Sequence, residues 1–185
     1  MNSTLPDQTA VPASPAATPA ELIAALTNTD RLQEIGRVDF AHPALKAQLD
    51  AITARTAAEL GLLISLVTLV LDSAQLVVGS SGLEGWISAA GGTPAEWSFC
   101  AHAVASGEAY VVPDSAQDPV QRDNPLVTVD GIASYAGVPL VSTSGQVLGA
   151  HCVIGATPHD FTVADLDALA RAGDEVMALL AEYAC

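Results

Sequence analysis

Gly137-Val138-Pro139-Leu140-Val141-Ser142, then Thr143-Ser144-Gly145, then Gln146-Val147-Leu148-Gly149-Ala150-His151-Cys152-Val153-Ile154, is the stretch that decides the fold. Two runs rich in Val, Leu and Ile flank a short polar break, which predicts strands over 137–142 and 146–154 joined by a hairpin turn. A hairpin forces antiparallel pairing, since a parallel pair needs a crossover of roughly a dozen residues or more. A second hairpin is predicted upstream: Leu62–Leu71 as a largely buried strand, Asp72-Ser73 as its turn, and Gln75–Gly79 as the returning strand. Hairpins flanked by helices make the chain α+β, with one antiparallel sheet carrying helices, rather than a doubly wound parallel sheet.

Outward from the hairpins the periodicity turns helical. Pro19-Ala20-Glu21 opens a helix through Leu22, Ile23, Ala25 and Leu26; Asn28 and Asp30 interrupt it before Leu32 and Ile35 resume the spacing. His42-Pro43 marks a break, after which Leu45, Leu49, Ile52 and Thr56 share one face of a longer helix ending near Gly61. Gly79 to Gly92 reads as irregular chain around Trp86. Ser98 stands as the N-cap of a short helix closed by Gly107, and Tyr110–Val112 is a short strand stopped by Pro113-Asp114. Gln117–Asp130 reads as a loop with one short helix. Thr162 and Asp165 make an imperfect capping box for a last amphipathic helix carrying Leu166, Leu169, Val176, Leu179 and Leu180. Residues 1–20, rich in Pro, Ala, Ser and Thr, predict a disordered tail, and 21–185 a single domain.

Composition narrows the function classes. Half of the 185 residues are apolar but few are aromatic, so the core must be built from Ala, Val, Leu and Ile. A net charge of −15, with Lys46 the only lysine and the arginines scattered, argues against nucleic acid and anionic membrane as partners. The apolar run Leu60–Leu71 is too short to span a bilayer, and the first twenty residues lack the pattern of a signal peptide. Three widely spaced cysteines, Cys100, Cys152 and Cys185, suggest neither a disulfide framework nor a zinc site, and fit a reducing cytoplasm.

Taken in order, Glu96-Trp97-Ser98-Phe99-Cys100, Val111-Val112-Pro113-Asp114-Ser115-Ala116-Gln117-Asp118, Asn124-Pro125-Leu126-Val127, Tyr135-Ala136-Gly137-Val138-Pro139-Leu140, Gly145-Gln146-Val147-Leu148-Gly149, Cys152-Val153-Ile154 and Phe161-Thr162 resemble the GAF domain family over roughly Leu45–Leu180. The resemblance implies a GAF/PAS-like architecture: a central antiparallel sheet of five or six strands, terminal helices on one face and a loop-roofed cavity on the other. It implies a sensory or regulatory module that binds a small ligand or a partner chain, and dimerises through its terminal helices. It leaves the cofactor unknown. Where close relatives read Cys-Val-Ile-Asp, this chain has Cys152-Val153-Ile154-Gly155, without the carboxylate.

Within that frame, Trp97, Cys100, Asp114, Tyr135 and His151 are the candidate pocket residues. Strand alternation places Val147, Gly149, His151 and Val153 on one face, and Leu148, Ala150, Cys152 and Ile154 on the other. His151 reads either as a pocket hydrogen-bonder or haem ligand, or as a core histidine satisfied by a backbone carbonyl. Cys100 and Cys152 read either as small buried apolar residues or as a redox pair, in the manner of a redox sensor or of the free methionine sulfoxide reductases of this family. Asp114 and Asp118 read as acid–base or metal groups, or as caps of the turns marked by Pro113 and Pro119. Trp97 and Tyr135 either stack on a planar ligand or seal the roof. Signatures of nucleotide-binding loops, nucleophile elbows and zinc proteases are missing, so binding without catalysis is expected. No output-domain signature is seen, so a stand-alone module signalling by assembly through Leu45–Thr56 and Leu166–Leu180 is expected. The alternative is that those apolar residues are consumed by packing on the sheet. A pure assembly domain with an empty cavity is the third reading.

Overall fold

Both hairpins are present in the computed structural model, which describes residues 9–185, and they belong to one six-stranded antiparallel sheet. Its strands are β1 (Ile64–Val70), β2 (Ala74–Ser81), β3 (Gly92–Pro94), β4 (Tyr110–Val112), β5 (Ser134–Val141) and β6 (Val147–Gly155), in the spatial order β3-β2-β1-β6-β5-β4. The helices are α1 (Pro19–Leu26), α2 (Thr29–Ile35), α3 (Pro43–Leu60), α4 (Gly85–Ala90), α5 (Cys100–Ser106), α6 (Pro125–Thr128) and α7 (Val163–Glu182). The α+β reading therefore stands. The stretch expected to be irregular, Gly79–Gly92, instead contains the end of β2, the helix α4 and the start of β3. Gly85 and Gly91, both at φ of 71°, open and close α4 with backbone that only glycine adopts cheaply.

Two helical layers sandwich the sheet. On one face, Leu45, Leu49 and Ile52 of α3 and Val176, Leu179 and Leu180 of α7 bury against Val67 and Leu140. Gly79 lets α3 approach β2 closely, since a Cβ there would sit 2.6 Å from the Leu49 Cβ. The helix α7 starts with a complete capping box, in which Thr162 and Asp165 satisfy each other's backbone N–H groups. On the opposite face, α1 packs on α5, and Leu26, Phe99, Ala103 and Val104 close over Leu66, Val70, Val112 and Tyr135. The first helix thus lies on the face expected to carry the loop-roofed cavity, not on that of the other terminal helices.

The apolar residues of α3 and α7 are spent inside the domain. Their outer faces carry Lys46, Asp50, Arg55, Glu59, Arg171 and Glu175, with Arg55–Glu175 and Arg171–Glu59 pairs bridging the two helices. The most exposed large apolar side chains, Leu63 and Val129, lie outside both helices. A dimer bundle built on the apolar residues of Leu45–Thr56 and Leu166–Leu180 therefore lacks its apolar face.

Two further expectations are corrected. Leu140 pairs with Gly149 while Val141 pairs with Val147, so Leu148 is the extra residue of a bulge. Its side chain consequently crosses to the helical face, against Ile35 and Leu69, instead of joining Ala150 and Cys152. Residues 9–18, expected within a disordered tail, run as an extended strap past Phe161, β4 and α5 (residues 1–8 lie outside the described residues). The Val11 N–H donates to the Phe161 carbonyl at 2.7 Å, and the Ser14 N–H to the Val111 carbonyl at 2.9 Å. The Ser14 hydroxyl accepts from the Val111 N–H at 3.0 Å, and the Ala17 N–H donates to His102 Nδ1. Pro12 and Pro15 restrict the unbound chain, so ordering the strap costs less entropy, and the edge strand supplies its partners.

Arg31 ties this face together. Its guanidinium is buried and donates to the carbonyls of Ala25 (3.1 Å), Leu26 (3.0 Å), Val70 (2.6 Å) and Leu148 (3.4 Å). Four acceptors spread around one planar fork suit arginine and not a point charge. Arg31→Lys is expected to cost about 2–3 kcal/mol of stability, because carbonyls lose charged donors while a buried cation remains. Urea unfolding of the two proteins measures it.

Candidate functional site

Polar and apolar groups converge between the sheet and the layer formed by α4, α5 and the segment around α6. β1, β5 and β6 present Leu66, Tyr135, Cys152 and Ile154 to this side, in register: Leu66 opposite Cys152, Tyr135 opposite Ile154, Gly137 opposite Cys152. Gly137 is needed here. A Cβ at that position would lie 2.2 Å from the Tyr135 hydroxyl, so the absence of a side chain lets the tyrosine lean over its own strand toward α5.

The Tyr135 hydroxyl donates to Cys100 Sγ at 3.1 Å, and Cys100 Sγ lies 3.8 Å from Cys152 Sγ. All three side chains are buried. The bond shared with Cys152 pulls the Cys100 thiol below its ordinary pKa, helped by the Thr68 and Tyr135 hydroxyls and opposed by burial. The same shared bond, burial and the nearby Cys100 charge push Cys152 well up. The Tyr135 hydroxyl donates to Cys100, which favours it as the more acidic of the two thiols. Tyr135 is held well above its ordinary value, chiefly by burial and then by the two sulfurs.

An inner chamber of about 20 Å3 touches Cys100, Cys152, Tyr135 and Phe99. Its other walls, among them Leu66, Gln75, Leu126 and Ile132, also line a larger cleft of about 320 Å3 that continues outward past Thr93, Leu83 and Ile87 to Glu84 and Asp130. Ser98 organises the junction. Its hydroxyl accepts from the Ala101 N–H at 3.0 Å, as expected of a cap, and donates to Gln75 Oε1. The helix itself begins two residues later, at Cys100. The Thr93 hydroxyl is buried without a hydrogen-bond partner in the cleft wall. Trp86 Nε1 donates to Asp130 at 2.7 Å across the mouth and meets the Trp97 ring edge-on.

The expected site residues divide. Cys100, Cys152 and Tyr135 come together. Trp97 packs in the roof and its carbonyl accepts from Asn124, but it does not line the cleft. Asp114 lies outside, its carboxylate accepting from the Ala116 N–H at 3.0 Å, and Asp118 accepts from the Val120 and Gln121 N–H groups. Both aspartates act as turn caps. His151 sits on the other face of the sheet, where Nδ1 donates to the Leu66 carbonyl at 3.2 Å and Nε2 faces the Thr56 hydroxyl at 3.0 Å. It is a core histidine. The missing carboxylate at Gly155 also has a steric reason, since a Cβ there would meet Ser134 Oγ at 2.3 Å. The residues missed by sequence reasoning are Gln75 and Thr93. The available signal was the Gly91-Gly92 pair: a Cβ on Gly92 would lie 2.1 Å from the Gln75 carbonyl, so glycine lets β3 pair with β2.

The family model of the GAF domain matches residues 46–181. The chain belongs to the GAF domain family. A 67-residue stretch, 36% of this GAF protein, is 43% identical to the cyclic di-GMP phosphodiesterase PA2567 of Pseudomonas aeruginosa, and covers 11% of that relative's length. Its structure is similar to the GAF domain of a phosphoenolpyruvate-protein phosphotransferase from Coxiella burnetii, with a TM-score of 0.64 at 15% identity over 90% of this chain and 96% of that one. It is also similar to the free methionine-R-sulfoxide reductase of Neisseria meningitidis, with a TM-score of 0.60 at 16% identity over 92% of this chain and 95% of that one. Likeness at this identity concerns the fold alone. Among the described residues, no helix of this GAF domain is long and apolar enough to cross a membrane.

Burial of His151 also yields a pH dependence. Desolvation lowers its pKa to about 4 from 6.5, so between these values the unfolded chain holds the proton that the folded one refuses. Stability is full above the higher value and is lost as pH falls toward the lower, by on the order of 3 kcal/mol over the window. His151→Gln is expected to flatten this slope in denaturant unfolding repeated from neutral to acidic pH.

Proposed function

We propose that this GAF domain is a sensory module whose cleft between β1–β3 and α4–α6 binds a small, mainly apolar molecule presenting one hydrogen-bonding group. The observation that carries the reading is Thr93, whose hydroxyl is buried in the cleft wall with no partner. A buried orphan hydroxyl costs the empty protein about 1–3 kcal/mol, and a ligand that satisfies it recovers that energy. Gln75 stands beside it with its oxygen already engaged by Ser98, which leaves the amide N–H2 as a second anchor. Leu66, Leu83, Ile87, Leu126 and Ile132 supply apolar walls. Glu84 and Asp130 at the mouth, on a chain of net charge −15, disfavour an anionic ligand. A groove of about 440 Å3 between α2, the β5–β6 turn and the end of α7 is larger, but neither of the two orphan buried hydroxyls among the described residues, Thr93 and Ser115, lines it.

Native mass spectrometry of the protein purified from its own host, wild type and Thr93→Val, tests the reading. A bound mass in the wild type, with roughly tenfold weaker retention in the variant, is expected. The empty variant should also be more stable by about 1 kcal/mol, because valine removes an unsatisfied group. An assembly domain with an unused cavity would carry no bound mass, and Thr93→Val would leave its partners unchanged.

A further inference from the structure

We propose that Cys100 and Cys152 form an oxidation site for hydrogen peroxide, closing a reversible disulfide between α5 and β6 at the inner end of the cleft. This goes beyond ligand binding and does not rest on it. The geometry carries it. The two sulfurs lie 3.8 Å apart on different elements, in a buried setting where a third group, the Tyr135 hydroxyl, donates to Cys100. A disulfide needs about 2.0 Å between sulfurs, so roughly 1.8 Å must be closed by side-chain rotation and a small shift of α5. The chamber beside them, at about 20 Å3, has room for a molecule the size of water and little more. The same side chains wall the chamber and the outer cleft, so a small movement of these walls admits hydrogen peroxide to the sulfurs, whereas a bulky organic hydroperoxide requires a far larger one.

The chemistry divides between the two sulfurs. Cys100, the sulfur that accepts from the Tyr135 hydroxyl, attacks one peroxide oxygen. An S–O bond forms, the O–O bond breaks, and the departing oxygen leaves as water with the thiol proton. Cys100 is then a sulfenic acid, oxidised by two electrons, and the peroxide is reduced. Cys152 attacks the Cys100 sulfur, the S–S bond forms, the S–O bond breaks, and hydroxide leaves with the Cys152 proton as a second water. A dithiol reductant restores both thiols by disulfide exchange and is itself oxidised to a disulfide. The disulfide weakens the acceptor that Tyr135 held, so oxidation is felt at the tyrosine and in the chamber that it lines.

The test uses the full chain with Cys185→Ser, which removes the exposed thiol. Hydrogen peroxide is expected to remove both remaining thiols together, with loss of two hydrogens by intact mass and a Cys100–Cys152 cross-link in the peptide map, all reversed by dithiothreitol. Cumene hydroperoxide should act at least roughly tenfold more slowly, in keeping with a chamber of single-water size. Cys152→Ser should trap a dimedone-reactive sulfenic acid on Cys100. Tyr135→Phe should slow oxidation roughly tenfold, through a smaller thiolate fraction. If a cysteine variant fails to fold, the wild type with Cys185 alkylated in the native state gives the same readout. The proposal is overturned if the folded protein keeps both thiols in excess peroxide. It is equally overturned by oxygen addition to Cys100 without a cross-link, or by equal rates for the two peroxides.

Discussion

The structure depends on one pairing, that of β1 with β6. Both strands are buried along almost their whole length, and they share six paired positions at the centre of the sheet. An antiparallel sheet commonly leaves one face to water, but here neither face of the central pair can be left open. Residues such as Leu66, Val67, Leu69 and Val70 alternate between two apolar layers, so both must be covered. One cover is the pair α3 and α7. The other is assembled from α1, α5 and the segments around α4 and α6, which come from widely separated parts of the chain. Gly149 belongs to the same constraint: a Cβ there would lie 1.8 Å from the Thr68 carbonyl, so close β1–β6 approach requires its absence.

The two covers differ in kind. The α3–α7 side is mainly aliphatic packing, and its buried polar residents, among them Thr53, Thr56 and His151, each have a hydrogen-bond partner. The other side is built from short elements and turns, and leaves space between them. Its polar groups are graded: Ser98 is satisfied by the Gln75 oxygen, Tyr135 by a sulfur, and the Thr93 hydroxyl has no partner. The chemistry collects where cover is made from small pieces, because small pieces meet imperfectly. That is where a GAF domain of this sequence has a cleft.

What was legible in the sequence was local. The hairpins were readable from alternation and turn residues, and α3 and α7 from apolar spacing and caps, because each signal sits within a few residues of its effect. The Cys100–Cys152–Tyr135 grouping was half legible: each residue was singled out, yet their contact depends on α5 crossing strands separated by long loops. Alternation already placed His151 and Cys152 on opposite faces, so one cavity never had room for both. Leu148 misled because a bulge shifts alternation by one residue without a mark in its own identity. The strap was hidden because Val11, Ser14 and Ala17 find partners at Phe161, Val111 and His102, far away in the chain. Thr93 was hidden because what singles it out is a missing bond.

The strap has a consequence for how the sheet ends. β4 is one border of the sheet, and Ser14 of the strap occupies both the N–H and the carbonyl of its central residue, Val111. The other border, β3, is three residues long and finishes at Pro94, which has no N–H to offer. Both borders offer another strand few free pairing positions, which disfavours edge-to-edge polymerisation of the domain.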